Sequence, residues 1–134
     1  MKLSSLLKDA AVSKIVGDTD RDMKGICYDS RKVKPGYVFV CIVGFETDGH
    51  KYIAGAISAG ASAIVVQEGA KLPDIPETIT LIVAKNTRQV LAQLGASFYK
   101  NPQKKLKIIG VTGTNGKTTV TTLIKSILEF EGKT

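Results

Sequence analysis

The stretch of this chain best suited to chemistry is Gly110-Val111-Thr112-Gly113-Thr114-Asn115-Gly116-Lys117-Thr118-Thr119. A glycine-rich turn between a buried strand and a helix that opens on Lys-Thr is the arrangement that wraps a triphosphate. Gly113 and Gly116 permit positive φ, which turns successive backbone N–H groups toward an anion, and the helix N-terminus adds its positive dipole end. Lys117 can reach the β- and γ-phosphates as the catalytic cation, and the Thr118 hydroxyl is placed to ligate Mg²⁺. Gly113, Thr114, Asn115, Gly116, Lys117, Thr118 and Thr119 are therefore expected to hold ATP. The general pattern asks for glycine five places before Gly116, where this chain has Val111; glycines at 110, 113 and 116 imply a variant loop. The plainer alternative, a glycine-rich turn with an incidental lysine, leaves the fit of the flanking strand and helix unexplained.

A second group of polar residues flanks an apolar run. Tyr28-Asp29-Ser30-Arg31-Lys32 precedes it, and Gly44-Phe45-Glu46-Thr47-Asp48-Gly49-His50 follows it. Hydroxyls, an arginine and loop backbone groups suit a polar ligand, although Asp29 and Arg31 could equally form a structural turn with a surface ion pair. His50 is the single histidine. No Ser or Cys nucleophile can be tied to it, so a structural or solvent-exposed role is expected.

The elements that must position these residues follow from periodicity. Residues 3–8 read as a short helix, and the polar stretch from Ser13 to Lys24 reads as turns. Tyr37-Val38-Phe39-Val40-Cys41-Ile42-Val43, bounded by Pro35-Gly36 and Gly44, is a buried strand. A small-residue helix over His50–Ala61, a strand at 62–66, a Pro-bearing loop from Leu72 to Glu77 and a strand at 80–83 follow. Asn86 or Thr87 caps a helix to Tyr99 with Val90, Leu91, Leu94 and Phe98 on one face. Asn101-Pro102 ends it, and a strand over 106–111 leads into the phosphate loop and a last helix over 117–131, with Gly132 as its C-cap. This alternation predicts an α/β fold: a small α/β domain at 1–84, then at 85–134 the truncated start of an ATP-binding domain.

Composition narrows the class. The 134 residues are 43% hydrophobic and 23% charged, as in a globular chain, and no run approaches the roughly 18 apolar residues of a membrane span. The N-terminus carries a charge inside its short apolar run and does not read as a secretory signal. Two cysteines without a Cys-x-x-Cys pattern exclude a disulfide framework and suit reduced thiols in a cytoplasmic protein. The net charge of +7 draws heavily on six lysines between Lys100 and Lys125, a stretch with no acid. With no Trp and no interleaving of aromatic with basic residues, that charge points to phosphate rather than to nucleic acid.

Taken together, the Asp-Ser-Arg segment at 29–31, the Asp-Gly-His segment at 48–50, Gly60-Ala61-Ser62-Ala63, Phe98-Tyr99 and the loop Gly-Thr-Asn-Gly-Lys-Thr-Thr at 113–119 resemble the Mur ligases. These are ATP-dependent amide-forming enzymes of bacterial cell-wall synthesis. The loop is similar to the family's own version, which accounts for its departure from the general pattern. Within the family the Asp-Ser-Arg domain occurs in the enzymes that add the third residue and in those that add the terminal dipeptide. The Gly-Thr-Asn-Gly form is more similar to the third-residue enzymes.

The resemblance implies that residues 1–84 hold the UDP end of UDP-N-acetylmuramoyl-L-alanyl-D-glutamate, with Tyr28, Ser30, Phe45, Glu46 and Thr47 as contacts to uracil, ribose and diphosphate. Glu46 would approach the uracil or ribose, or use its backbone. ATP would phosphorylate the D-glutamyl carboxylate, and the amine of meso-diaminopimelate or L-lysine would attack the acyl phosphate. The alternatives are the D-alanyl-D-alanine-adding ligase and a stand-alone nucleotide-binding module. The acid that should share the metal with Thr118, the family's carbamylated lysine and the acceptor site would lie beyond residue 134. The chain alone is thus expected to be inactive, and its parent a monomer without nucleic-acid or membrane partners.

Overall fold

The computed structural model describes residues 1–133, and by packing these divide into two units, Met1–Pro102 and the residues from Gln103 onward. The first unit is built on a five-stranded sheet: β1 (Lys14–Val16), β2 (Gly25–Cys27), β3 (Tyr37–Val40), β4 (Ala61–Gln67) and β5 (Thr80–Ala84). Their spatial order is β1-β5-β4-β3-β2, with β2 to β5 parallel and β1 antiparallel on the β5 edge.

Central parallel strands are covered on both faces, which is why they read as continuous apolar runs. Alternation then deals their side chains to two cores. Val38, Val40, Ala63, Val65, Ile82 and Ala84 pack with Leu3, Leu6 and Leu7 of helix α1 (Leu3–Leu7) and with Val90 and Leu94 of helix α3 (Thr87–Phe98). Phe39, Cys41, Ile64 and Val66 face the other way, against Ile53 and Ala56 of helix α2 (Ile53–Ser58). The Asn86 side chain caps α3, accepting from Gln89 N–H at 3.1 Å.

Several boundaries differ from the sequence reading. β1 and β2 fall in or beside the stretch read as turns; each is only three residues long, too short to carry a period, and β1 is exposed throughout. The ladder of β3 stops at Val40, because Ile42 and Val43 turn to bond the following loop: Gly49 N–H donates to Ile42 O, and Val43 bridges Asp48. The helix read over His50–Ala61 is a 3-10 turn at Gly49–Tyr52 followed by the shorter α2. A boundary near Lys85 is not a boundary of packing, since α3 buries Val90 and Leu94 in the first unit's core.

In the second unit, residues 106–111 form no strand. A ladder needs a partner, and no described residue supplies one. Helix α4 (Lys117–Phe130) follows the glycine-rich loop and ends at Gly132 with φ +65°, where Lys133 N–H reaches back to Leu128 O, a Schellman-type closure. No described residue of this unit is buried; Val111, Ile124 and Leu128 are half-buried. None of the described helices is long and apolar enough to cross a membrane.

Candidate functional site

In the first unit, the loops that follow β2 and β3 meet around a cavity of about 490 Å³. Its lining is Tyr28, Asp29, Ser30 and Arg31 after β2, Ile42, Thr47 and Gly49 around the loop after β3, and Tyr52 from the 3-10 turn. This is the carboxyl end of parallel strands, the place where open α/β sheets bind ligands.

The β2 side is shaped by one aspartate. Asp29 Oδ1 accepts from the Arg31 backbone N–H at 3.1 Å and so starts the 3-10 turn Ser30–Lys32. The same carboxylate takes Arg31 Nε at 2.9 Å and Nη2 at 2.9 Å, a fork-on-fork pair. The Arg31 side chain, first through these hydrogen bonds, holds the Asp29 carboxyl down at about 2, and Arg31 is raised in return. The pair therefore presents an oriented, largely neutralised guanidinium rather than a bare positive charge.

The β3 side is a hairpin. Gly44 N–H donates to Thr47 O at 2.9 Å, and Gly49 N–H to Ile42 O at 2.9 Å. Only glycine fits at 49: a Cβ there would lie 2.7 Å from Ile42 N and 3.0 Å from Ile42 O, both backbone atoms. Asp48 caps the next turn, accepting from His50 N–H at 3.0 Å, and its Oδ1 lies 2.5 Å from His50 Nδ1. On the other side of the ring, His50 Nε2 accepts the Gln67 N–H of β4 at 3.0 Å, so the imidazole proton sits on Nδ1 and points at Asp48. The bonds from His50, backbone first, lower the Asp48 pKa. His50 is buried and committed on both nitrogens, a structural clip rather than a general base.

Of the residues expected to contact a nucleotide sugar, Tyr28, Ser30 and Thr47 line this one cavity, whereas Phe45 and Glu46 do not; they stand exposed at the hairpin tip. Tyr52 and Ile42 also line it and were not singled out from sequence. Nothing in the type of either residue signals a ligand, and only the meeting of the two loops brings them in. The arrangement offers two exposed tyrosine rings, two hydroxyls and a guanidinium, which suits a planar, polar, uncharged head such as a base with its sugar. Two free cysteines, Cys27 and Cys41, are buried under these loops, and burial pushes the Cys41 thiol up to about 12.

In the second unit, Gly113 has φ +148° and Gly116 φ +77°, and Gly116 is the N-cap of α4. No side chain caps the helix, and Val120 N–H is the first to bond back, to Gly116 O at 3.0 Å. The amides ahead of it are left pointing out of the helix end. Lys117 Nζ folds onto the loop itself, donating to Gly113 O at 2.5 Å and Thr114 O at 3.4 Å. A glycine loop, unpaired amides and an ammonium held only by loop carbonyls match the needs of a polyphosphate. Among the described residues, no group of three or more His, Cys, Asp or Glu could hold a metal ion.

The family described as Mur ligase family, catalytic domain, matches residues 22–99. The chain is 47% identical over 132 residues to UDP-N-acetylmuramoyl-L-alanyl-D-glutamate–2,6-diaminopimelate ligase of Clostridium tetani, covering 98% of this chain and 27% of that protein. It is 50% identical over 129 residues to the ligase of the same name from Alkaliphilus metalliredigens, covering 96% and 26%. The chain thus spans about a quarter of the length of these curated relatives. Among solved structures, MurF of Acinetobacter baumannii superposes with a TM-score of 0.68 at 28% identity, over 96% of this chain and 27% of that one. MurF ligase of Thermotoga maritima, in complex with ADP, superposes with a TM-score of 0.57 at 27% identity, over 80% and 23%. The family match covers more than half of the chain and includes both loops of the cavity, and the fold is that of solved members, so the chain belongs to the Mur ligase family.

Proposed function

We propose that this chain is the nucleotide-recognising part of an ATP-dependent ligase that joins 2,6-diaminopimelate to UDP-N-acetylmuramoyl-L-alanyl-D-glutamate in peptidoglycan synthesis. The observation that carries the reading is the convergence of Tyr28, Ser30 and Thr47 on one cavity at the carboxyl end of a parallel sheet. Relatives named for that reaction, at 47% and 50% identity, support it over the D-alanyl-D-alanine-adding enzyme, whose solved structures match at 28% and 27%. Residues 1–84 then serve the UDP end of the substrate, and residues 85–134 open the ATP-binding domain, whose first helix, α3, packs in the core of the first unit.

In this reading Tyr28 and Tyr52 offer ring faces to the uracil, and the Ser30 and Thr47 hydroxyls bond its edge or the ribose. Phe45 and Glu46, at the exposed hairpin tip, close over the ligand from outside. Asp29 keeps Arg31 oriented at the cavity. ATP, when bound, supplies the phosphoryl group that activates the glutamyl carboxylate for attack by the amine of diaminopimelate. The backbone N–H groups between Gly113 and Thr119 cradle the phosphates, and Lys117 exchanges its loop carbonyls for phosphate oxygens and neutralises charge there. Magnesium is assigned to the Thr118 hydroxyl together with the phosphates, rather than to a cage of acids within this stretch.

Calorimetric titration with UDP-N-acetylmuramoyl-L-alanyl-D-glutamate tests the cavity. Saturable binding that weakens about five- to ten-fold in Ser30→Ala, as loss of one hydrogen bond implies, is the expected result. A folded chain that binds nothing overturns the reading. Turnover of the full-length parent with diaminopimelate but not with D-alanyl-D-alanine decides the acceptor.

A further inference from the structure

Arg88 sits where a helix least favours it. It is the second residue of α3, whose first turn carries no acid, so its charge opposes the positive end of the helix dipole. It makes no ion pair among the described residues. Its side-chain bond among the described residues is across the fold: Arg88 Nη2 donates to Val43 O at 2.9 Å.

Val43 is the base of the hairpin that walls the cavity. The hairpin closes on itself through the Val43–Asp48 bridge and the Gly44 N–H to Thr47 O bond. Just past its second arm, also at the base, His50 fixes it to β4 through Gln67 N–H. Among the described residues, the Val43 carbonyl takes its side-chain hydrogen bond from α3. That helix is a firm support, capped by Asn86 and anchored by buried Thr87, Val90 and Leu94. An exposed arginine that breaks a local helix rule and spends its donor on the wall of a binding cavity has a role in positioning rather than in helix stability.

We propose that Arg88 is a positioning residue for the nucleotide cavity: from the first turn of α3 it holds the Val43 carbonyl and so keeps the 43–49 hairpin, with Thr47 and Gly49, in the cavity wall. The proposal rests on the nucleotide reading of that cavity. It predicts that the side chain acts on affinity without touching the ligand.

The test uses the full chain, with UDP-N-acetylmuramoyl-L-alanyl-D-glutamate as the calorimetric probe and amide hydrogen exchange at Gly44 and Gly49 as a ligand-free readout. Arg88→Ala is expected to weaken binding about five-fold and to speed exchange at both amides, with the melting temperature unchanged. Arg88→Lys, which can still donate to one carbonyl, is expected to recover affinity to within about two-fold of wild type. Wild-type affinity and wild-type exchange in Arg88→Ala overturn the proposal, as does a fall in melting temperature with the hairpin amides unmoved. A wild-type chain that does not bind overturns the nucleotide reading as well. That result is distinct from failure of the tether alone, in which wild type binds, Ser30→Ala weakens it and Arg88→Ala changes nothing.

Discussion

Up to Pro102 the chain buries side chains on both faces of a sheet, whereas from Gln103 onward no described residue is buried. Yet both regions carry a well-formed candidate site. The cavity of the first region depends on strands that bring two distant loops together. The candidate phosphate loop depends on two glycines and one helix start, all within a few residues of each other. A site made of consecutive residues needs little core behind it to take shape, while a site made of separate loops needs the whole sheet.

The sharpest way to break this contrast is to cut both regions at their most apolar points. Phe39→Ala, in a fully buried position, is expected to cost about 3–5 kcal/mol in a denaturant melt. Leu128→Ala on the half-buried face of α4 is expected to cost less than about 0.5 kcal/mol. Comparable losses would mean that Leu128 is packed more deeply than its half-buried position implies.

Next in size come the glycines. Gly49→Ala drives a methyl into the backbone of Ile42 and is expected to cost about 1–3 kcal/mol, read as a lower melting temperature. Gly116→Ala meets no atom within 4 Å, but its φ of +77° is strained by about 1–2 kcal/mol, which is expected to distort the loop and lower ATP binding. A smaller effect of opposite sign is expected at Gly95 in α3, which faces open space: Gly95→Ala should stabilise by up to about 1 kcal/mol.

The smallest effect is electrostatic. The folded Asp29 carboxyl, held at about 2, lies below the ordinary carboxylate value, so its contribution to stability is fully present above about pH 4 and fades as pH falls toward 2. An NMR titration of Asp29 should show that low midpoint, and Arg31→Ala should return it toward the ordinary range. A midpoint unmoved by that substitution would assign the shift to something other than the Arg31 fork.

Much of this was legible in the residues themselves. The apolar runs at 37–43, 62–66 and 80–83 each fall on a strand, and the Val90, Leu91, Leu94 and Phe98 stripe marks the face that α3 packs. Strands β1 and β2 were not legible, because three residues hold no period and their places were set by neighbours, β5 for one and β3 for the other. The run at 106–111 illustrates the converse: apolar β-branched residues favour a strand, but pairing is a property of two segments, and one segment cannot supply it.

By itself the amino-acid order determined the shape of the glycine-rich loop at 113–116, because positive φ at glycine, a helix start and a lysine one residue on are local preferences that short-range sterics enforce. It also marked both polar loops around the apolar run at 37–43. Only the tertiary structure decided that Ser30 and Thr47 share a cavity with Tyr52, that His50 faces the core and that Arg88 reaches Val43. These follow from the parallel register that sets Cys27 beside Phe39 and Val40 beside Val65. Register is chosen by burial across the whole sheet, so no single segment encodes it.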